Sequence, residues 1–159
     1  MKKLLAPFVL LLAVLFTAGC DKADMKIKKL NHGDGTWDIV SIHYEYYDST
    51  GATVISDSTE TAPGEIVFFT TTTLDGLYDY VLCTAHMNEP AGVETYIFEV
   101  YFDEARAHFQ DALNGPVPGS LNALWTVNKS SRKKQEWSTY LLRSDGSLYG
   151  KRTVVMKFK

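Results

Sequence analysis

The chain has 159 residues, with 16 lysines and arginines against 19 aspartates and glutamates, a net charge of −3, and 45% apolar residues. That length suits one domain with a real hydrophobic core rather than two. The acidic balance excludes a typical nucleic-acid binder, because a phosphate backbone is held by clustered Lys and Arg.

Residues 1–19 contain Lys2 and Lys3, an apolar stretch from Leu4 to Phe16, and Thr17-Ala18-Gly19 directly before Cys20. This is the pattern of a bacterial lipoprotein signal peptide with Cys20 as the lipidated residue, although Thr17 stands where Leu is commoner. The apolar stretch is too short to span a bilayer as a helix. Cleavage before Cys20 leaves 14 basic against 19 acidic residues, a net charge of −5. Several acyl chains on one cysteine anchor a protein without any other membrane element. The expected address is the cell envelope, at the outer membrane of a Gram-negative bacterium, facing the periplasm or the surface. With Cys20 acylated, Cys83 is the single remaining thiol, so no intrachain disulfide forms. Its apolar neighbours Val81, Leu82 and Ala85 favour a buried, inert thiol.

Residues 20–34 are polar and lysine-rich, without periodicity, and are expected to act as a tether. From residue 35 to 159 the sequence breaks into β-branched and aromatic runs separated by turn chemistry, which predicts an all-β domain. Eight strands are expected near 36–47, 52–58, 64–72, 77–87, 93–103, 121–128, 135–143 and 148–158. Asp75-Gly76 and Asp145-Gly146 are the strongest hairpin signals, and Gly51 and Asn88–Gly92 mark further reversals. Connections this short pair neighbouring strands antiparallel. In the fifth run Tyr96, Phe98, Val100 and Phe102 share one face, expected to point inward. Trp137, Thr139 and Leu141 share a face in the seventh, and Val154, Met156 and Phe158 in the last.

Between the fifth and sixth runs, Ala105, Phe109, Ala112 and Leu113 recur at helical spacing and Asn114-Gly115 supplies a stop, which predicts a short helix. The following Asn-Gly-Pro-Val-Pro-Gly-Ser segment, 114–120, is expected to be an irregular loop. The 104–120 insertion is then either a binding lid or a cap that plugs one barrel end.

At Gly35-Thr36-Trp37 a Gly-x-Trp opens the first of eight strands in up-and-down order, and the chain stops just after the last. Residues 35–158 in this respect resemble the lipocalin-like, or calycin, β-barrels, particularly small bacterial lipoproteins of that type. The resemblance implies a closed eight-stranded antiparallel barrel. It also implies that Trp37 closes one end, beneath an arginine from near the last strand, for which Arg152 is the match. The Thr-Asp-Tyr segment and terminal disulfide of secreted lipocalins are missing, so the likeness speaks for a fold more than for a ligand. The stretch from Leu124 to Trp137 also resembles a pattern in anchored barrels of this type to which no activity is attached.

No residue pattern names a reaction. His32, His43, His86 and His108 are scattered without paired metal-ligand spacing, so no metal and no cofactor is expected. Ser131 to Lys134 matches Ser-x-x-Lys, but it lies in a basic turn between strands and lacks the companion motifs of penicillin-recognising enzymes. Asp48-Ser49-Thr50 and Asp57-Ser58-Thr59 resemble the acceptor sequence of a bacterial O-glycosylation system, which would make Ser49 and Ser58 the modified residues. The expectation is therefore a monomeric, non-enzymatic envelope lipoprotein that binds a small hydrophobic or amphipathic ligand through Trp37, Tyr96, Phe98, Phe102, Phe109 and Trp137. The competing expectation is an accessory module that binds glycan or a protein partner through exposed aromatics.

Overall fold

A computed structural model describes residues 22–69, 79–102, 105–111 and 117–159. The signal segment, Cys20 and the Asp75-Gly76 turn lie outside the described residues. The described strands are β1 (Thr36–Tyr47), β2 (Val54–Phe68), β3 (Asp79–Glu89), β4 (Gly92–Phe102), β5 (Arg106–Asp111), β6 (Leu124–Ser130), β7 (Lys134–Leu142) and β8 (Leu148–Phe158). Each pairs antiparallel with its neighbours in sequence, and β1 pairs with β8, so the sheet closes into an up-and-down barrel. Closure leaves the inner face dry where the strands are fully laddered, as in the second half of β4, where Phe98, Val100 and Phe102 are buried while Ile97 is 51% exposed.

The count of eight strands agrees with the sequence, but two segments are built differently. Residues 54–68 form one long strand where a turn was expected before residue 64. Pro63-Gly64 does not reverse the chain; instead it sits at an irregularity in the ladder, between the pairs Ser41↔Thr61 and Ile39↔Gly64. A proline without an N–H is tolerated at such a bulge. Conversely, the helix expected around Phe109 is strand β5. Its residues pair with β4 from Phe98↔Asp111 to Phe102↔Ala107, and with β6 at Arg106↔Thr126. Ala107 and Phe109 fit an alternating pattern as well as a helical one, and a helix there would leave the β4 and β6 edges unpaired.

The one described helix, α1 (Lys22–Leu30), lies instead in the segment expected to be a loose tether. Leu30 at its end is 1% exposed and joins the core. The Leu30 carbonyl accepts the Trp37 indole Nε1–H at 2.8 Å, and Lys29 Nζ donates to the Ser130 carbonyl at 3.1 Å. The buried Leu30, the partly buried Ile27, and hydrogen bonds to the Trp37 indole and the Ser130 carbonyl help to dock a helix whose own sequence is mostly polar. Leu30→Ala is therefore expected to destabilise the protein by about 2 kcal/mol and to red-shift Trp fluorescence. A change below about 0.5 kcal/mol in chemical denaturation would mean that the helix is not docked.

The hairpins follow their turn residues. At the β7–β8 turn Gly146 takes φ +81° while Asp145 does not take a positive φ, and Gly146 N donates to the Arg143 carbonyl at 2.9 Å. That is a type I turn followed by a left-handed glycine, rather than the two-residue mirror turn the dipeptide allows. At the β1–β2 turn Asp48 Oδ1 accepts from Thr50 N, Thr50 Oγ1 and Ala52 N.

Candidate functional site

Most of the residues expected to line a ligand cavity form a packed aromatic cluster. Trp37, Phe98, Phe102, Phe109 and Trp137 are all buried, with Trp125 and Phe68 among them. Phe102 meets Trp137 edge-on at 6.0 Å and Phe98 meets Phe109 at 5.2 Å. Phe109 also lies 5.6 Å from Trp137 and 6.4 Å from Trp125. Rings arranged edge to face satisfy their quadrupoles against one another, so this part of the barrel is filled by its own side chains. The indole N–H groups find partners too: Trp125 Nε1 donates to the Leu121 carbonyl at 2.8 Å, and Trp137 Nε1 to Gln135 Oε1 at 3.3 Å. Sequence reasoning placed Phe98 and Phe102 on an inner face, put Phe109 on a helix, and could not tell a lining from a filling.

The barrel-closing pair is not brought together. Register pairs Arg152 with Tyr44, seven residues along β1 from Trp37. At about 3.3 Å per residue this separates the two by roughly 23 Å. Trp37 is covered instead by Phe158, at 5.6 Å and edge-on, and by the end of α1. Gly35, the glycine of Gly-x-Trp, takes φ +73°, and a Cβ there would collide with the Phe68 carbonyl oxygen. The motif thus reflects a tight entry into β1 rather than a stacking site.

Arg152 works further along the barrel, where it pairs with Tyr44 and Thr139. Its guanidinium lies 5.3 Å from the centre of the Tyr44 ring. Its Nη1 donates to the Ser120 carbonyl at 2.6 Å and the Gly119 carbonyl at 3.1 Å. Those carbonyls belong to the 117–121 loop, whose Val117, Pro118 and Leu121 are buried. Of the two readings of this insertion, the geometry of residues 117–121 is that of a cap; residues 112–116 lie outside the described part. The Arg152 Nε is buried without a hydrogen-bond partner, as are Asn31 Oδ1 and Ser130 Oγ at the α1 end. No described carboxylate forms an ion pair with Arg152. An unanswered N–H on a charged group is the costliest of the three to leave dry.

Around Arg152, burial raises the Tyr44 hydroxyl above the ordinary phenol range; Arg152 opposes that shift and Glu60 adds to it. Tyr96, the sixth expected lining residue, pairs with Ala85 and packs against the edge of the core cluster. It is half-buried, and its hydroxyl donates to Glu94 Oε2 at 2.7 Å, which holds the phenol protonated to higher pH. The Arg152 end therefore joins one aromatic ring, Tyr44, one guanidinium and the Glu60 carboxylate.

The remaining candidates take structural roles. Cys83 is fully buried and burial pushes its thiol well above its ordinary value, as a reactive nucleophile would not be. Ser131 Oγ accepts from Lys134 N at 2.9 Å and donates to the Lys134 carbonyl, so the Ser-x-x-Lys match is the closure of the β6–β7 turn. His43 and His86 each bond a neighbouring threonine, Thr59 and Thr95. Among the described residues no three His, Cys, Asp or Glu side chains converge as a metal site. Ser49 is exposed in the β1–β2 turn, whereas Ser58 is exposed within β2 rather than at a strand end.

The fold defines the class as a closed, eight-stranded, up-and-down antiparallel β-barrel with an aromatic core. Compared with known proteins, the chain matches no family model, no curated protein and no solved structure.

Proposed function

We propose that this chain is a lipid-anchored envelope protein of lipocalin-like plan that binds a small amphipathic molecule at the Arg152 end of its barrel and performs no catalysis. Cys20 anchors it to the outer membrane of a Gram-negative cell, and it acts as a monomer. The observation that carries the ligand reading is the buried, unpartnered Nε of Arg152 beside Tyr44, above an aromatic core. An apolar or ring-bearing ligand body would lie against Tyr44, and a polar head would supply the missing acceptor. The ligand occupies the mouth and not the Trp37–Trp137 region, which is already filled.

Native mass spectrometry of the full chain in detergent, after exposure to envelope extract, tests this reading. The expected result is a discrete adduct that is lost on denaturation and whose mass separates lipid from glycan. Arg152→Gln should weaken the adduct at least about tenfold, with circular dichroism unchanged. A clean apo mass under the same conditions would instead favour the competing reading, a glycan or protein partner met through outer aromatics, of which Tyr140 is the most open at 63%.

A further inference from the structure

The barrel wall has a step in it. β1 and β2 pair over eleven positions, out to Tyr47↔Val54, whereas β2 and β3 pair over only five, Gly64↔Met87 to Phe68↔Cys83. The reason is length: β3 ends at Glu89 and turns through Pro90-Ala91 into β4, while β2 runs on in the other direction to Val54. Val54–Thr61 consequently has no ladder partner on its β3 side among the described residues. All eight of these residues are exposed, including Ser58 and Glu60, which share the face of the half-buried Tyr44 and the buried Ile42. This stretch of the β1–β2 hairpin stands clear of the barrel with a row of main-chain donors and acceptors facing solvent.

Long, flat edges are ordinarily kept short or blocked, because they template pairing with other chains. Here the edge is eight residues long and contains no proline. Four of the eight are the β-branched Val54, Ile55, Thr59 and Thr61. Pro63 and Ala62, with φ +47°, sit only at its base. Next to that base lies an open groove of ≈ 830 Å³, lined in part by Val40, Ala62, His86, Asn88 and Val93. Asn88 Nδ2 donates to the Ala62 carbonyl and pins the fork.

The charges select the occupant. Asp57 and Glu60 lie on the edge strand, and Glu89 and Glu94 stand on the β3–β4 hairpin beyond the fork. None of the four forms an ion pair with a described residue. Two copies of this chain pairing edge to edge would bring Asp57 and Glu60 against their own likes, which disfavours a dimer.

We propose that the free edge of β2, Val54–Thr61, is a docking site for an extended, lysine- or arginine-bearing segment of a partner protein, which adds to the sheet as a further strand. Main-chain hydrogen bonds supply affinity, the carboxylates select basic side chains, and the groove receives the residue at the fork. The edge borders the Tyr44 side of the mouth at Ser58 and Glu60, but it rests on the open ladder and does not depend on the ligand reading.

The test uses the full chain in detergent and two synthetic ten-residue peptides of alternating valine and lysine or alternating valine and glutamate. The lysine peptide is expected to bind in fluorescence anisotropy and to slow amide hydrogen exchange across residues 54–61, leaving the other exposed turns unaffected. The glutamate peptide should not bind. The double variant Asp57→Lys/Glu60→Lys should lose roughly tenfold in affinity for the lysine peptide. Binding of the lysine peptide without protection of residues 54–61 would overturn the proposal, because it would be charge attraction alone. Equal binding of both peptides, or no binding, would also overturn it. A concentration-dependent dimer that protects the same amides would assign the edge to a second copy. The exchange measurement on the unsubstituted protein decides the matter even if the double variant folds poorly.

Discussion

Trp137→Ala is expected to destabilise the barrel by about 3–5 kcal/mol. Trp137 is fully buried and its ring meets Phe68, Phe102 and Phe109, so it joins three separate strands of the wall across the interior. Removing the indole forfeits its transfer energy and leaves a hole that the surrounding rings, fixed edge to face, fill only in part. It also strands Gln135, 1% exposed, whose Oε1 then loses the Nε1–H donor while Nε2 still donates to the Ser131 carbonyl. The check is urea denaturation, which should show a lower midpoint with an unchanged slope. A loss below about 1 kcal/mol would mean that the interior is loose enough to hold a guest there, and would return the ligand to the aromatic cluster.

Gly35→Ala carries the second large effect and has a built-in control. Gly35 holds φ +73° and its backbone lies against Phe68, whose N–H donates to the Gly35 carbonyl at 2.9 Å. An added methyl must push on the Phe68 carbonyl, a main-chain atom already fixed in the wall. Gly146 has φ +81° with nothing near its would-be Cβ, so alanine there meets backbone strain alone. Gly146→Ala should cost about 1 kcal/mol, and Gly35→Ala roughly 3 kcal/mol or more, because strain and collision add. Equal losses in thermal melts would show that the β1 entry can shift away from Phe68 at no cost.

Much of this architecture could be read from the residues in order. Alternation in 93–102 and 148–158 put Phe98, Phe102, Val154 and Met156 on inner faces because a strand repeats every two residues whatever surrounds it. Turn residues act just as locally, so Gly51, Asn88–Gly92 and Asp145-Gly146 mark real reversals. Local signals misled where two periods coincide or where the neighbourhood decides. Phe109 and its neighbours suit either helix or strand, and the open edges of β4 and β6 settled the choice. Lys22–Leu30 has too little apolar surface to announce a docked helix, since its place depends on the Trp37 indole and Ser130 carbonyl brought near by the closed barrel.

The candidate site shows the same division. Arg152 was singled out only through the resemblance to lipocalin-like barrels, and the partner that the resemblance implied was not the one found. Trp37 was the expected partner on resemblance; register placed Tyr44 and the 117–121 loop beside it instead. The stepped wall was not legible at all, because the length of β2 depends on whether Pro63-Gly64 ends a strand or only bends one. By itself the sequence determined the all-β class, the alternation within runs such as 93–102, and the position of several turns, which follow from the period of a strand and the dihedral preferences of Gly, Asp and Asn; the count of eight agreed because one expected strand merged with its neighbour while an expected helix proved to be a strand. Only the tertiary structure decided which rings fill the core, which end Arg152 guards and which edge stays open. Those outcomes depend on register and closure between segments far apart in the chain, and no local preference encodes them.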